Sequence, residues 1–188
     1  MTLRKELIQM RTLLITTIAV VIMGVSSSVF GQVNPREGEE AKYPELRRQV
    51  TVLSGATVDN MTEMIIDLTH PVVVAHIGGR ESFLALLKQV NNNFKSDGVQ
   101  ILSYNVGEIE QEARIGGDIF VVLSEVMLLR IKGSKYRAES SLIAISSDSG
   151  ANWKFVAGTI GQARFDELFP KAAGRIKFKA MKTELVSN

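Results

Sequence analysis

The chain has 188 residues, with 22 Lys and Arg against 20 Asp and Glu, a formal net charge of +2, no cysteine and two histidines. Without cysteine, disulfides, zinc–thiolate and iron–sulfur sites and cysteine nucleophiles are excluded, and two histidines cannot make a three-histidine metal site within one chain. The near-balanced charge gives no basis for general electrostatic binding of nucleic acid or anionic lipid.

Residues 1–12 are short and basic, with Arg4, Lys5 and Arg11 against Glu6. Residues 13–25, LLITTIAVVIMGV, are apolar or small, and residues 26–32 are small and polar around Val29-Phe30-Gly31. These are the three regions of a secretory signal peptide. The pattern predicts a signal over 1–31, cleavage near Gly31–Gln32, and export to the periplasm or the extracellular space. The competing reading is an uncleaved anchor, but a run of this length falls short of the roughly 20 residues that span a bilayer. No Cys follows the run, which excludes a lipoprotein anchor. Beyond it, basic and acidic residues are equal, 19 of each.

Residues 32–56 are expected to form a flexible leader, polar at 33–42, with a short helix over 43–54. One domain is expected over 57–170. Thr57 suits a helix N-cap with Asp59 in the first turn, and Val58, Met61, Ile65 and Leu68 fall on one helical stripe. Pro71 stops that helix at His70. The β-branched run 72–74 predicts a short strand, and Gly78-Gly79 a turn. A second helix is predicted over 80–96, with Phe83, Leu84, Leu87, Val90 and Phe94 on one face and Gly98 placed as a C-terminal cap.

From Val99 the period becomes that of strands. Residues 99–106 and 109–115 are either two strands or one long strand with a bulge near Gly107. Gly116-Gly117-Asp118 turns the chain into an apolar strand over 119–131. Residues 132–135, KGSK, make a hairpin turn, followed by strands over 136–146 and 153–159. A short amphipathic helix is predicted over 162–169, stopped by Pro170. The basic tail 171–188 is expected to fray. Helices followed by a meander of antiparallel strands predict an α+β fold, with a curved sheet wrapped on two or three N-terminal helices.

The stretch DLTHPVVVAHIGGRESFLALLKQV, 67–90, with Gly79-Arg80-Glu81 opening a helix, resembles a signature stretch of the nuclear-transport-factor-2-like superfamily, also called the SnoaL-like or cystatin-like fold. The strand order and a Trp near the last strand also fit, and the likeness covers roughly 57–159. It implies a cone: a strongly bent sheet folded around helices, often with a pocket at the open end. That superfamily holds isomerases, dehydratases and non-catalytic binding domains, so the fold alone selects no activity. The Tyr/Asp oxyanion pair and Asp base of its isomerases have no matching positions here, so no catalytic residue is carried over.

A sharper local resemblance covers Ser146, Asp148, Gly150 and Trp153, which match the Asp-box pattern S-x-D-x-G-x-x-W. In proteins that carry it, the box staples a hairpin: the Asp accepts turn N–H groups and the Trp packs beneath. One copy predicts a tight turn rather than a propeller.

Three candidate constellations carry chemistry. Glu125 is the one charge on the face Ile119, Val121, Leu123, Met127, Leu129 and Ile131, so it should point toward the helices with a raised pKa that suits a general base. The alternative is an outward Glu125, or one paired with Arg114 or Arg137. Asp67 and His70, three apart at a helix end, are candidates for an acid/base dyad, against a His70 that closes the helix C-terminus. Tyr104, Met127 and Met64 are candidate ligand-binding neighbours of Glu125, with the methionines as adaptable apolar walls.

No nucleotide fingerprint, phosphate loop or metalloprotease motif is present, so no cofactor and no metal are expected. The sequence thus favours an exported, non-catalytic domain that binds a small apolar ligand or a protein. Its rivals are an isomerase or lyase that uses Glu125 with His70 or Tyr104, and a structural module that dimerises through the sheet face. Neither nucleic acid nor a lasting membrane anchor is expected as a partner.

Overall fold

Gly116 and Gly117, both at positive φ, reverse the chain between two long strands. This is a conformation that glycine adopts without a Cβ penalty. The computed structural model describes residues 42–187, so the expected signal segment, its cleavage site and residues 32–41 of the expected leader lie outside the described residues. The strands are β1 (Val99–Ile115), β2 (Asp118–Ile131), β3 (Ser134–Ser146), β4 (Lys154–Ala157) and β5 (Lys182–Ser187). They form one antiparallel sheet in the order β1-β2-β3-β4, and β5 pairs with β3 beside β4. Among the described residues four helices precede the sheet: α1 (Pro44–Val58), α2 (Thr62–Leu68), α3 (Pro71–His76) and α4 (Arg80–Ser96). A fifth, α5 (Gln162–Leu168), follows β4. The fold is α+β, as the sequence predicts.

Residues 99–115 make one strand, with register shifts between Ile101 and Ser103, Val106 and Ile109, and Ile109 and Gln111. The bulged alternative is the one realised, and such bulges bend a strand and increase its twist.

Both faces of the sheet are covered. On one, Tyr43, Leu46, Val50 and Leu53 of the α1 segment pack on Ile119, Val121, Leu123, Leu142 and Ala144, with Trp153 and Phe155. On the other, Phe120, Val122, Ile143 and Ile145 are covered by Phe165, Phe169, Ala172 and Ile176, with Val73 of α3. The chain's own C-terminal segment therefore takes much of the face considered for assembly.

Four expectations are corrected. The first concerns the helix expected to end near Ser54: it runs through Gly55 to Val58, across the expected domain boundary at 57. Thr57 caps nothing there, and its hydroxyl donates to the Leu53 carbonyl one turn back. The next helix begins only at Thr62; it buries Ile66, while Met61 is 48% exposed. The second is the run 72–74, which is helical rather than extended. Pro71 sits at the first helical position, and His70 Nδ1 accepts the Val72 N–H, so the cap overrides β-branched propensity. The third is the tail, which does not fray: Ala172 and Ile176 are fully buried, and β5 pairs with 135–139 of β3. The fourth is the last meander strand, which ends at Ala157 and passes into a 3₁₀ turn over 158–160.

Candidate functional site

The alternation of β2 places Glu125 in line with Ile119, Val121 and Leu123, on the face that α1 covers. Glu125 is only 8% exposed. Pairing of β2 with β3 sets Ser140 directly opposite it, and pairing with β1 sets Tyr104 on the diagonal, opposite Met127. The Tyr104 hydroxyl donates to Glu125 Oε2 at 2.5 Å, and the Ser140 hydroxyl donates to Oε1. Both expected arginine partners lie elsewhere: Arg137 pairs with Glu139, and Arg114 lies on β1 opposite Ile119.

Burial raises the Glu125 pKa above the usual carboxylate range, and the two hydroxyl donors oppose that shift by favouring the charged form. Burial, and the neighbouring carboxylate, push the Tyr104 phenol well above its usual value. Three strands thus converge on a buried carboxylate that two neutral donors solvate. The cluster holds a charge or a proton, but it opens on neither of the two surface depressions described below.

Asp67 and His70 do not form a dyad. Their helix ends at Leu68, and Thr69 is extended. Asp67 instead accepts from Arg80 Nη1 at 2.5 Å, while Arg80 Nη2 reaches Glu63 at 2.5 Å, an exposed fork that ties α4 to α2. His70 caps α3 with Nδ1 and meets Phe169 edge to face at 4.9 Å. Burial lowers its pKa. His70 packs on Phe169 of the second core cluster, whereas Glu125 lies on the β2 face that carries Ile119, Val121 and Leu123 of the first, so the two are not brought together.

The Asp-box turn is held by one backbone and two side-chain donors to Asp148, with Trp153 packed beneath. Asp148 Oδ1 accepts the Asn152 N–H at 2.8 Å and the Ser146 hydroxyl at 2.8 Å, and Oδ2 accepts the Asn152 side-chain amide at 2.7 Å. These donors lower the Asp148 pKa. The Ser146 hydroxyl also accepts the Gly150 N–H. Trp153 is 1% exposed; its indole N–H donates to the Gly150 carbonyl, and Tyr43 packs edge-on at 5.2 Å. Its backbone N–H donates to Gln49 Oε1, which locks the turn to α1.

The concave surface lies elsewhere. A groove of about 840 Å³ runs between the end of α1, α4 and the start of β1, with Val58, Phe94, Ile101 and Leu102 as its apolar lining and Lys88 and Lys95 beside them. A shallower depression of about 440 Å³ involves Met61, Met64 and Asp67, and Met64 is 39% exposed. Of the expected ligand-binding residues, only Met64 lines a depression; Tyr104 and Glu125 are closed off, and Met127 is half-buried. Sequence reasoning missed Ser140 and the groove, and of the predicted α4 stripe only Phe94 lines the latter.

Among the described residues, no group of three or more His, Asp or Glu is gathered as for a metal ion, and no helix is long and apolar enough to cross a membrane. Comparison with protein-family models, with curated proteins and with solved structures returns no match.

Proposed function

We propose that the protein is an exported, non-catalytic binding domain whose ligand site is the groove between α4 and β1. The observation that carries the reading is α4 itself. This helix of 17 residues lines up Phe83, Leu84, Leu87, Val90 and Phe94, yet none of its residues is fully buried. An amphipathic helix ordinarily hides such a stripe in the core. Of that stripe Phe94 reaches the groove, where it forms an apolar wall with Val58, Ile101 and Leu102, and Lys88 and Lys95 line the same groove. That chemistry suits a small amphipathic ligand with an apolar body and an anionic head.

The export reading rests on the three-part pattern of residues 1–31. A cone of the nuclear-transport-factor-2-like kind is supported by the helices preceding an antiparallel sheet and by the bulged β1. The isomerase or lyase reading lacks support, because Glu125 and Tyr104 are spent on one another beneath the surface and His70 packs in the other cluster.

The test uses the anionic fluorophore 1-anilinonaphthalene-8-sulfonate with the folded protein. Saturable binding at one site is expected, weakened at least tenfold by Phe94→Asp and several-fold by Lys95→Glu, with near-ultraviolet circular dichroism unchanged. Equal binding by wild type and both variants overturns the assignment.

A further inference from the structure

The sheet has two outer edges, and they are treated differently. The β1 edge carries Glu108, Glu110 and Glu112 and three register shifts, and Arg47 donates to its Gly107 carbonyl. Charges and bulges of this kind keep a strand edge from pairing with another chain. At the other edge, β4 is occupied as well, because the His70 N–H donates to the Phe155 carbonyl and Thr69 bridges Phe155. β5 has fewer guards: one Lys182 and one Glu184 of opposite sign, and a single register shift near its end that skips Val186. Among the described residues it pairs with β3 alone, and Leu185 is 55% and Val186 36% exposed.

The sequence of this edge is self-complementary. Residues 181–185 read Met-Lys-Thr-Glu-Leu. Two copies placed antiparallel about a two-fold axis at Thr183 set Lys182 against Glu184 twice, and Leu185 twice against Met181, the residue just before the strand. Opposite charges and apolar pairs across strands both stabilise a ladder, and a two-fold interface uses one patch twice. We propose that a second copy of this chain adds edge to edge at β5, joining two five-stranded sheets into one through an antiparallel β5–β5 ladder centred on Thr183. The contact is short, so the dimer is weak and reversible. It leaves the α4 groove of each copy free.

The natural chain has no cysteine, so an introduced one is unique. In this register the two Thr183 Cα atoms stand about 4.5–5.5 Å apart, within disulfide range. Two residues at 186 lie about 20 Å apart. Under mild oxidation Thr183→Cys is expected to cross-link into dimers, whereas Val186→Cys stays monomeric. In sedimentation equilibrium, Lys182→Glu or Glu184→Lys alone should weaken self-association about tenfold, as each sets like charges opposite. An equimolar mixture of the two variants should restore it, because the opposing charges then match. A wild-type monomer at about 100 µM, well above a micromolar dissociation constant, overturns the proposal. So does cross-linking at 186 as fast as at 183, or association that ignores both charge reversals.

Discussion

Glu125→Gln tests what the buried carboxylate does to stability. In the native state burial raises its pKa, while in the unfolded chain it titrates near 4.3. A group raised on folding contributes stability that is fully present below the unfolded value and is lost as pH rises through the folded one. Within that window the loss has a slope of up to about 1.4 kcal/mol per pH unit. Gln cannot ionise, so the variant lacks this slope. It keeps an acceptor for one of the two hydroxyls, and the other hydroxyl accepts from its amide. At pH 4, where wild type is largely protonated, the two proteins should differ by less than about 1 kcal/mol, the scale of one neutral hydrogen bond. By pH 7.5 the variant should be as stable as wild type or more so. Urea unfolding from pH 4 to 8 measures this, with the single, buried Trp153 as fluorescent probe. Parallel stability curves would refute the reasoning, as would a variant that loses ground as pH rises.

Tyr104→Phe removes one of the two donors to that carboxylate and should cost about 1.5–3 kcal/mol at pH 7.5, shrinking toward pH 4 as Glu125 protonates; the same urea series reads it. Trp153→Ala should destabilise by about 3–5 kcal/mol, the range for an aromatic truncated in a core, in calorimetry. Asp148→Ala should lower the melting temperature by less, and its effect should fade as pH falls through the depressed pKa of Asp148, where wild type loses the same bonds. Gly158→Ala would drive a Cβ into the Ser141 carbonyl of β3, so a loss of about 1–3 kcal/mol is expected in chemical denaturation. N-terminal sequencing of the exported form should begin at or near Gln32, and recovery of an intact Met1 form in membranes would favour an anchor instead.

Short-range chemistry made much of this legible. The Asp-box turn follows from four residue types at fixed spacing, and α4 begins at Arg80 and ends at Ser96 as its stripe and Gly98 indicate. Strict alternation placed Glu125 on the helix side. Its partners depend on register, which one strand alone does not carry. If all four residues 132–135 formed the turn, with strands ending at 131 and resuming at 136, Leu142 would face Glu125. The actual loop is the two residues Lys132 and Gly133, both at positive φ, and it brings Ser140 there instead. Likewise, counting back from Gly116-Gly117 without bulges would oppose Glu125 to Glu108. The two shifts between Val106 and Gln111 exchange that repulsion for Val106 and bring Tyr104 within reach. The run 72–74 misled because capping by His70 and Pro71 outweighs side-chain propensity. β5 was hidden because a strand of mixed polarity shows itself only through its neighbour.

The attachments of the first helical segment span large sequence distances. The Tyr43 hydroxyl reaches Glu112, Arg47 reaches Gly107, and Gln49 reaches Trp153, with separations of 69, 60 and 104 residues. Closing loops of that length comes before any reward for the contact, which slows folding of such topologies. During synthesis α1 leaves the ribosome early, yet its apolar side has nothing to settle on until β1 and β2 pair, and its last anchor arrives only with residue 153. A nascent chain halted within β3 would hold the β1–β2 hairpin and α1, but without Trp153, Phe155 and the Gln49 anchor that complete the cover of Leu46, Val50 and Leu53. The buried turn at Trp153 is thus a latch, and the interval before it closes is when this chain is most exposed to aggregation or to capture by a chaperone.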